Sequence, residues 1–230
     1  MINYTKITHL NKVELNPEQQ PLGTILWLHG LGADGHDFVP FVKELALPTS
    51  LPLRFIFPHA PLQPVTINNG YVMRAWFDII GLSFDTQLDE KGIAKSVSSV
   101  HEWIEEEKLR GIPSHRIILA GFSQGAAIAL QAGLRFSEKL GGIIALSGVL
   151  PAAEKLFREK SNINMSIPIF IAHGVTDTII PLHFGEMSAT LLKNQGYPIV
   201  WKKYNMGHSV CPEEIRDIRQ WLIEQMSVML

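Results

Sequence analysis

Cysteine is almost missing from this chain: Cys211 is the single one in 230 residues. No intramolecular disulfide can form, which fits a reducing compartment, and no C-x-x-C exists. Beside Pro212 the thiol reads as a small packed side chain, with a free reactive thiol as the alternative. Charge is also scarce, at 18% of residues with a formal net charge of −2. No Lys/Arg-rich block interleaved with aromatics is present to neutralise phosphates, so nucleic acid is not an expected partner. Long apolar runs are missing as well, none approaching the ~18 residues of a spanning helix. The opening MINYTKITHLNKVELNPEQQ lacks the apolar core of about 7–15 residues that marks a secretory signal. A soluble, cytoplasmic protein without a transmembrane segment is the expectation. There is no P-loop, no G-x-G-x-x-G opening a helix and no EF-hand series. His101-Glu102 begins like a zinc helix, but Glu105 stands where the second histidine is required. Asp34, His36 and Asp37 lie close in sequence and read as a polar loop. Neither a metal nor an organic cofactor is expected.

What is present is apolar content of 46%, enough for a self-sufficient core. Short β-rich runs fall at Thr24–His29, Leu53–Phe57, Arg116–Phe122, Gly142–Leu146, Pro168–Ala172 and Ile199–Tyr204. Segments of helical period alternate with them: Val39–Leu45, Gly92–Leu109, Gln124–Phe136, His183–Asn194 and Pro212–Met226. Near-continuous apolar strands joined by helical crossovers predict an α/β fold, a mostly parallel sheet with helices on both faces. Tyr4–Leu10 is a further run that would pair antiparallel at the edge. Gly111-Ile112-Pro113 and Gly196-Tyr197-Pro198 end helices before strands, and Pro212 stands where a first helical residue would. No repeat or linker interrupts residues 1–230, so one domain is expected. From Leu62 to Lys91 the rhythm breaks for about 30 residues, long for a plain connection and rich in apolar side chains. Two roles are open to it: packing down on the sheet, or covering a pocket.

The sharpest pattern is GFSQG, Gly121 to Gly125, between an apolar strand and the helical AAIALQAGL. In that setting G-x-S-x-G describes a turn so tight that its serine takes strained backbone angles and presents its hydroxyl above the sheet's carboxyl edge. A hydroxyl needs a base to become a nucleophile, and in this fold the acid and then the base follow the serine in the chain. Asp177 is the only aspartate between Ser123 and His208. Glu138, Glu154, Glu159 and Glu186 lie in that interval at positions that read as exposed. After Asp177 come only His183, at a helix start, and His208, in the turn after the last strand. The order selects Ser123, Asp177 and His208. An oxyanion would be met by the N–H of Gln124, next to the nucleophile, and by a donor from the early loop His29–Gly32, for which Leu31 is the candidate. His29 precedes the nucleophile and is assigned a loop-organising hydrogen bond.

These motifs together resemble the carboxylesterase/acyl-protein thioesterase family, which includes lysophospholipases. The resemblance spans nearly the whole chain: WLHGLGADGHDF from Trp27, PHAP ending at Pro61, MRAWFDIIGL from Met73 and GFSQGAAIAL from Gly121. It continues through LSG around Ser147, HGVTD with Pro181, and MGHSV around His208. The resemblance implies the same triad and oxyanion donors, and an acyl pocket bordered by Trp76, Ile79, Ile80 and Leu82. Val175 and Thr176 depart from the more polar residues of relatives, which bears on the pocket rim. It implies an acyl ester or thioester substrate: a small ester, a lysophospholipid or an S-acylated protein. A homodimer is possible if the 62–91 region leaves an apolar patch exposed. A non-catalytic binding protein on the same fold would show a lost triad member, and none is lost. An enzyme transferring acyl groups to alcohols, or cleaving peptides, would keep all three.

Overall fold

The computed structural model describes residues 2–81 and 88–229. Among these residues ten strands are formed: β1 (Tyr4–Thr8), β2 (Lys12–Pro17), β3 (Gly23–Leu28), β4 (Leu53–Pro58), β5 (Leu62–Val65), β6 (Tyr71–Arg74), β7 (Ile117–Phe122), β8 (Gly142–Leu146), β9 (Ile169–Gly174) and β10 (Ile199–Tyr204). Eight of them make one sheet in the order β1-β2-β4-β3-β7-β8-β9-β10. The pairs β1–β2 and β2–β4 are antiparallel, and every later pair is parallel. This is the expected α/β architecture, and the Tyr4 run does lie antiparallel at the edge.

Continuous apolar strands arise because both faces of the sheet are covered. Along β7, Ile117 and Leu119 enter one core and Ile118 and Ala120 the other. Four helices pack on the first face: α2 (Glu90–Leu109), α3 (Gln124–Gly133), α4 (Ala153–Glu159) and α5 (Leu182–Asn194). The second face is covered by α1 (Val39–Leu45) and α6 (Pro212–Met229), the latter through Ile218, Trp221, Leu222 and Met226. Each such side chain contributes roughly 1.5–3 kcal/mol when fully buried. Among the described residues no helix is long and apolar enough to cross a membrane.

Two elements escape the hydrophobic pattern. In β2, KVELNP, Val13 and Leu15 alternate with polar residues as a half-buried strand would, yet the polar face is covered too and Glu14 is buried. Its carboxylate is paired with the Arg110 guanidinium at 3.0 Å, an arrangement local periodicity does not reveal. The seven-residue α4 buries only Leu156, too little for a helical stripe. In the Leu62–Lys91 region, packing down is the role seen among the described residues. Its described part begins with the hairpin β5–β6, which pairs with no other strand. Ala75, Trp76 and Phe77 then pack down into the core, while Leu62, Tyr71 and Val72 stay exposed at 65%, 69% and 57%.

Candidate active site

Ser123 sits between β7 and α3 with φ 57° and ψ −119°, a conformation that costs a non-glycine residue energy. Its N–H donates to the Leu146 carbonyl at 2.8 Å, and its own carbonyl accepts from the Ala126 N–H at 3.0 Å. The flanking glycines are required sterically. A Cβ at Gly121 would overlap the backbone of Gly125, and one at Gly125 would overlap the Leu28 carbonyl on the neighbouring strand. The tight turn therefore depends on β3 lying directly beside it.

The loops after β9 and β10 bring Asp177 and His208 to this turn. His208 Nδ1–H donates to Asp177 Oδ2 at 2.7 Å, which leaves Nε2 with a lone pair facing the Ser123 hydroxyl at 2.9 Å. The Asp177 side chain is fully buried, and its Oδ1 accepts from the N–H groups of Ile179 and Ile180 at 2.9 and 2.8 Å. These donors satisfy the charge that burial would otherwise penalise. Phe122 lies against the His208 ring, centroids 4.8 Å apart. The four glutamates set aside from the sequence are elsewhere; Glu138, Glu159 and Glu186 pair with Lys108, Arg135 and Lys203. His183 is exposed and stacks on its neighbour Phe184.

The loop after β3 is held by a chain of hydrogen bonds. Buried His29 has Nδ1 2.7 Å from the Gly30 carbonyl and accepts the Ala60 N–H on Nε2 at 3.0 Å, which places its proton on Nδ1. Burial pushes its pKa down to about 4, so it stays neutral and serves the loop, as the sequence order assigned it. Arg74 ties in the hairpin: its carbonyl accepts from Gly32 N–H at 2.8 Å and its guanidinium donates to the Ala60 carbonyl at 2.8 Å. Gln124 clamps the next segment, accepting from Trp76 N–H and donating to the Phe77 carbonyl, both at 2.8 Å. The backbone amides of Leu31 and Gln124 thus belong to two segments braced by the hairpin and by the residues that directly follow it.

The four residues implied at the acyl pocket separate. Trp76 is 1% exposed, donates its indole N–H to the His29 carbonyl at 2.8 Å and packs against His29 and Trp103. It supports the loop from beneath. Ile79 is half-buried and bridges to Leu88, Ile80 is 38% exposed, and Leu82 lies outside the described residues. Sequence reasoning passed over Arg74, Phe122 and His173. A histidine ending the apolar run IFIAHG is the signal that was available for the last.

One cluster among the described residues has ligand spacing for a cation, Asp34, His36 and His59, with donor atoms within 4.8 Å of one another. Its atoms are already used: His59 Nδ1 accepts the Gly35 N–H at 2.9 Å, so the proton of the neutral ring occupies Nε2. Asp34 Oδ1 accepts from His36 N–H at 2.7 Å. The tautomer of His59 opposes ligation, and the cluster is a hydrogen-bonded loop.

Residues 11–225 match the model of the phospholipase/carboxylesterase family. The chain is 37% identical over 237 aligned positions to acyl-protein thioesterase 1 of Cryptococcus neoformans, covering 95% of this chain and 99% of the relative. It is 39% identical to acyl-protein thioesterase 1 of Gibberella zeae, with 90% and 92% covered. Among solved structures, Arabidopsis thaliana SOBER1 superposes with a TM-score of 0.84 at 32% identity, covering 89% and 99%. Zea mays acyl-protein thioesterase 2 superposes with 0.82 at 31%, covering 94% and 98%. With its serine turn, parallel sheet and near full-length identity to these enzymes, the chain belongs to the phospholipase/carboxylesterase family of α/β-hydrolases, serine hydrolases of acyl esters and thioesters.

Proposed function

We propose that this protein hydrolyses the thioester of S-acylated proteins, using Ser123 as nucleophile, His208 as general base and acid, and Asp177 as the group that orients and stabilises the imidazole. One observation carries this reading: a serine in a strained turn, 2.9 Å from an imidazole nitrogen whose partner nitrogen donates to a buried carboxylate. The names of the curated relatives support the acyl-protein substrate. So does the apolar rim, where Ile80, Val175 and Ile179 are exposed at 38%, 43% and 68%. Nε2 takes the hydroxyl proton as Oγ attacks the thioester carbonyl, and the tetrahedral oxyanion is met by the amides of Leu31 and Gln124. The imidazolium then protonates the departing thiolate, leaving an acyl-serine. Water, deprotonated by the same nitrogen, attacks the acyl-serine, and collapse returns the serine proton and releases the free acid. Ile79 and Ile80 contact the acyl chain.

Ser123→Ala is the test. It should lower kcat by about 10⁴–10⁶ and abolish labelling by a fluorophosphonate. A variant that retains a tenth of the wild-type rate rejects the assignment. Parallel assays on an S-palmitoylated peptide, a lysophospholipid and a short ester rank the substrates. A lysophospholipid preferred over the peptide would reject the thioester reading while keeping the triad.

A further inference from the structure

A second histidine stands behind the acid. His173 is the fifth residue of β9, has no exposed surface, and places Nε2 2.7 Å from the Ile180 carbonyl and 3.4 Å from Asp177 Oδ2. Among the described residues its Nδ1 has no hydrogen-bond partner. With acceptors only on the Nε2 side, the proton of the neutral ring sits on Nε2 and is donated to the Ile180 carbonyl. The peptide units of Ile180 are thereby held at both ends, because its N–H donates to Asp177 Oδ1. The donated N–H closes the base of the loop that carries the acid, and the same ring edge flanks the carboxylate oxygen that accepts the His208 Nδ1–H hydrogen bond.

The fold gives up stability to keep this imidazole. A buried nitrogen without a partner costs about 1–3 kcal/mol relative to a satisfied one. Opposite it, α5 carries Gly185 in its first turns, where alanine would favour the helix by about 1 kcal/mol. A Cβ at that position would overlap His173 Nδ1, so the glycine is there to admit the ring. Leucine at 173 would leave no orphaned nitrogen on that edge. Retaining an orphaned ring edge and a helix glycine makes sense if the other edge does work that packing cannot.

We propose that His173 is a positioning residue: its Nε2–H fixes the 177–180 loop so that the Asp177 carboxylate meets His208 at hydrogen-bonding distance. This rests on the reading of Ser123, Asp177 and His208 as the triad.

The test compares His173→Leu, which fills the space without a donor, with His173→Gln, whose amide nitrogen reaches the Nε2 position. The leucine chain should lose about 10- to 100-fold in kcat on a short ester with KM within about twofold, as small misplacements of reacting groups do. The downfield proton resonance of the His208 Nδ1–H bond to Asp177 should weaken with it. The glutamine chain should recover most of both. If the leucine chain does not fold, His173→Asn replaces it, since its shorter amide cannot reach the Ile180 carbonyl and should show the same loss. A leucine or asparagine chain with unchanged kcat and resonance overturns the proposal. So does an equal fall in the glutamine chain accompanied by a lower Tm, which would mark a packing role. Asp177→Asn, measured alongside, separates the two readings: if it too leaves kcat and the resonance unmoved, the triad assignment has failed rather than the role of His173.

Discussion

The loops after β9 and β10 and the hairpin before α2 border the same serine, yet they are built in opposite ways. In the first region the atoms that matter are buried and held. Both Asp177 oxygens accept hydrogen bonds, and Val175 and Thr176 donate backbone N–H groups across to Tyr204 and Met206. In the second, among the described residues, β5 and β6 pair only with each other, and Leu62, Tyr71, Val72 and Ile80 face outward. Arg74 latches the hairpin to Gly32 and Ala60, and Gln124 holds Trp76 and Phe77 in the segment that follows it. On the proposed function, chemistry falls where displacement is resisted, and contact with substrate falls to side chains that can change without loss of the fold.

Asp177→Asn puts the largest strain on this contrast. An amide oxygen at Oδ1 can still accept from Ile179 and Ile180, so the loop and the Tm should be nearly preserved. The amide nitrogen, however, cannot accept from His208 Nδ1–H and forces the wrong tautomer. A fall in kcat on the order of 10⁴ is expected, read by steady-state kinetics on a short ester. If a rim substitution costs as much on that substrate, the division between the two regions is wrong.

Ile80→Asp sharpens the other side. The residue is 38% exposed, so a charge is tolerated there, and short-ester turnover should stay within about twofold. Acyl chains that reach the rim lose apolar contact worth about 0.8 kcal/mol per methylene. The ratio of kcat/KM for a long chain to that for a short one should fall roughly tenfold, from an assay across acyl lengths of about two to sixteen carbons. A ratio that does not move places the acyl chain elsewhere.

The two regions also differed in how far they could be read from sequence. The serine turn was legible because sterics at short range dictate it: glycine at 121 and 125, and a strand and helix meeting at 123. The hydrogen-bonded partners behind Ser123 were legible by elimination, since chain order left one aspartate and two histidines. The parallel strands β3, β7, β8 and β9 declared themselves as apolar runs buried on both faces. What stayed hidden depends on partners far along the chain. Glu14 enters β2 because Arg110, 96 residues away, neutralises it. Trp76 looked like a pocket residue by resemblance, and its indole instead props the His29 loop. His173 needs Gly185 and Ile180, which no period in the sequence links to it.

The smallest expected effect lies under the held region. Glu214, in the first turn of α6, has no exposed surface, and its carboxyl oxygens find no well-aligned hydrogen-bond partner. Burial pushes its pKa up from an ordinary 4.5 to about 8; the Cys211 N–H draws it back somewhat, and the Asp217 charge adds to the rise. Between pH 4.5 and 8 the folded chain therefore holds a proton that the unfolded chain has released. The stabilisation linked to that proton is complete below pH 4.5 and is lost as the pH rises through the window. Glu214→Gln removes the titration. Its Tm should fall less than that of the wild type between pH 5 and 9, by roughly 5 °C, while kcat on a short ester stays within about twofold. Parallel Tm curves would mean that Glu214 is charged in the fold and that the start of α6 tolerates an unpaired anion. Converging curves with a large loss of kcat would extend the rigid region down to α6.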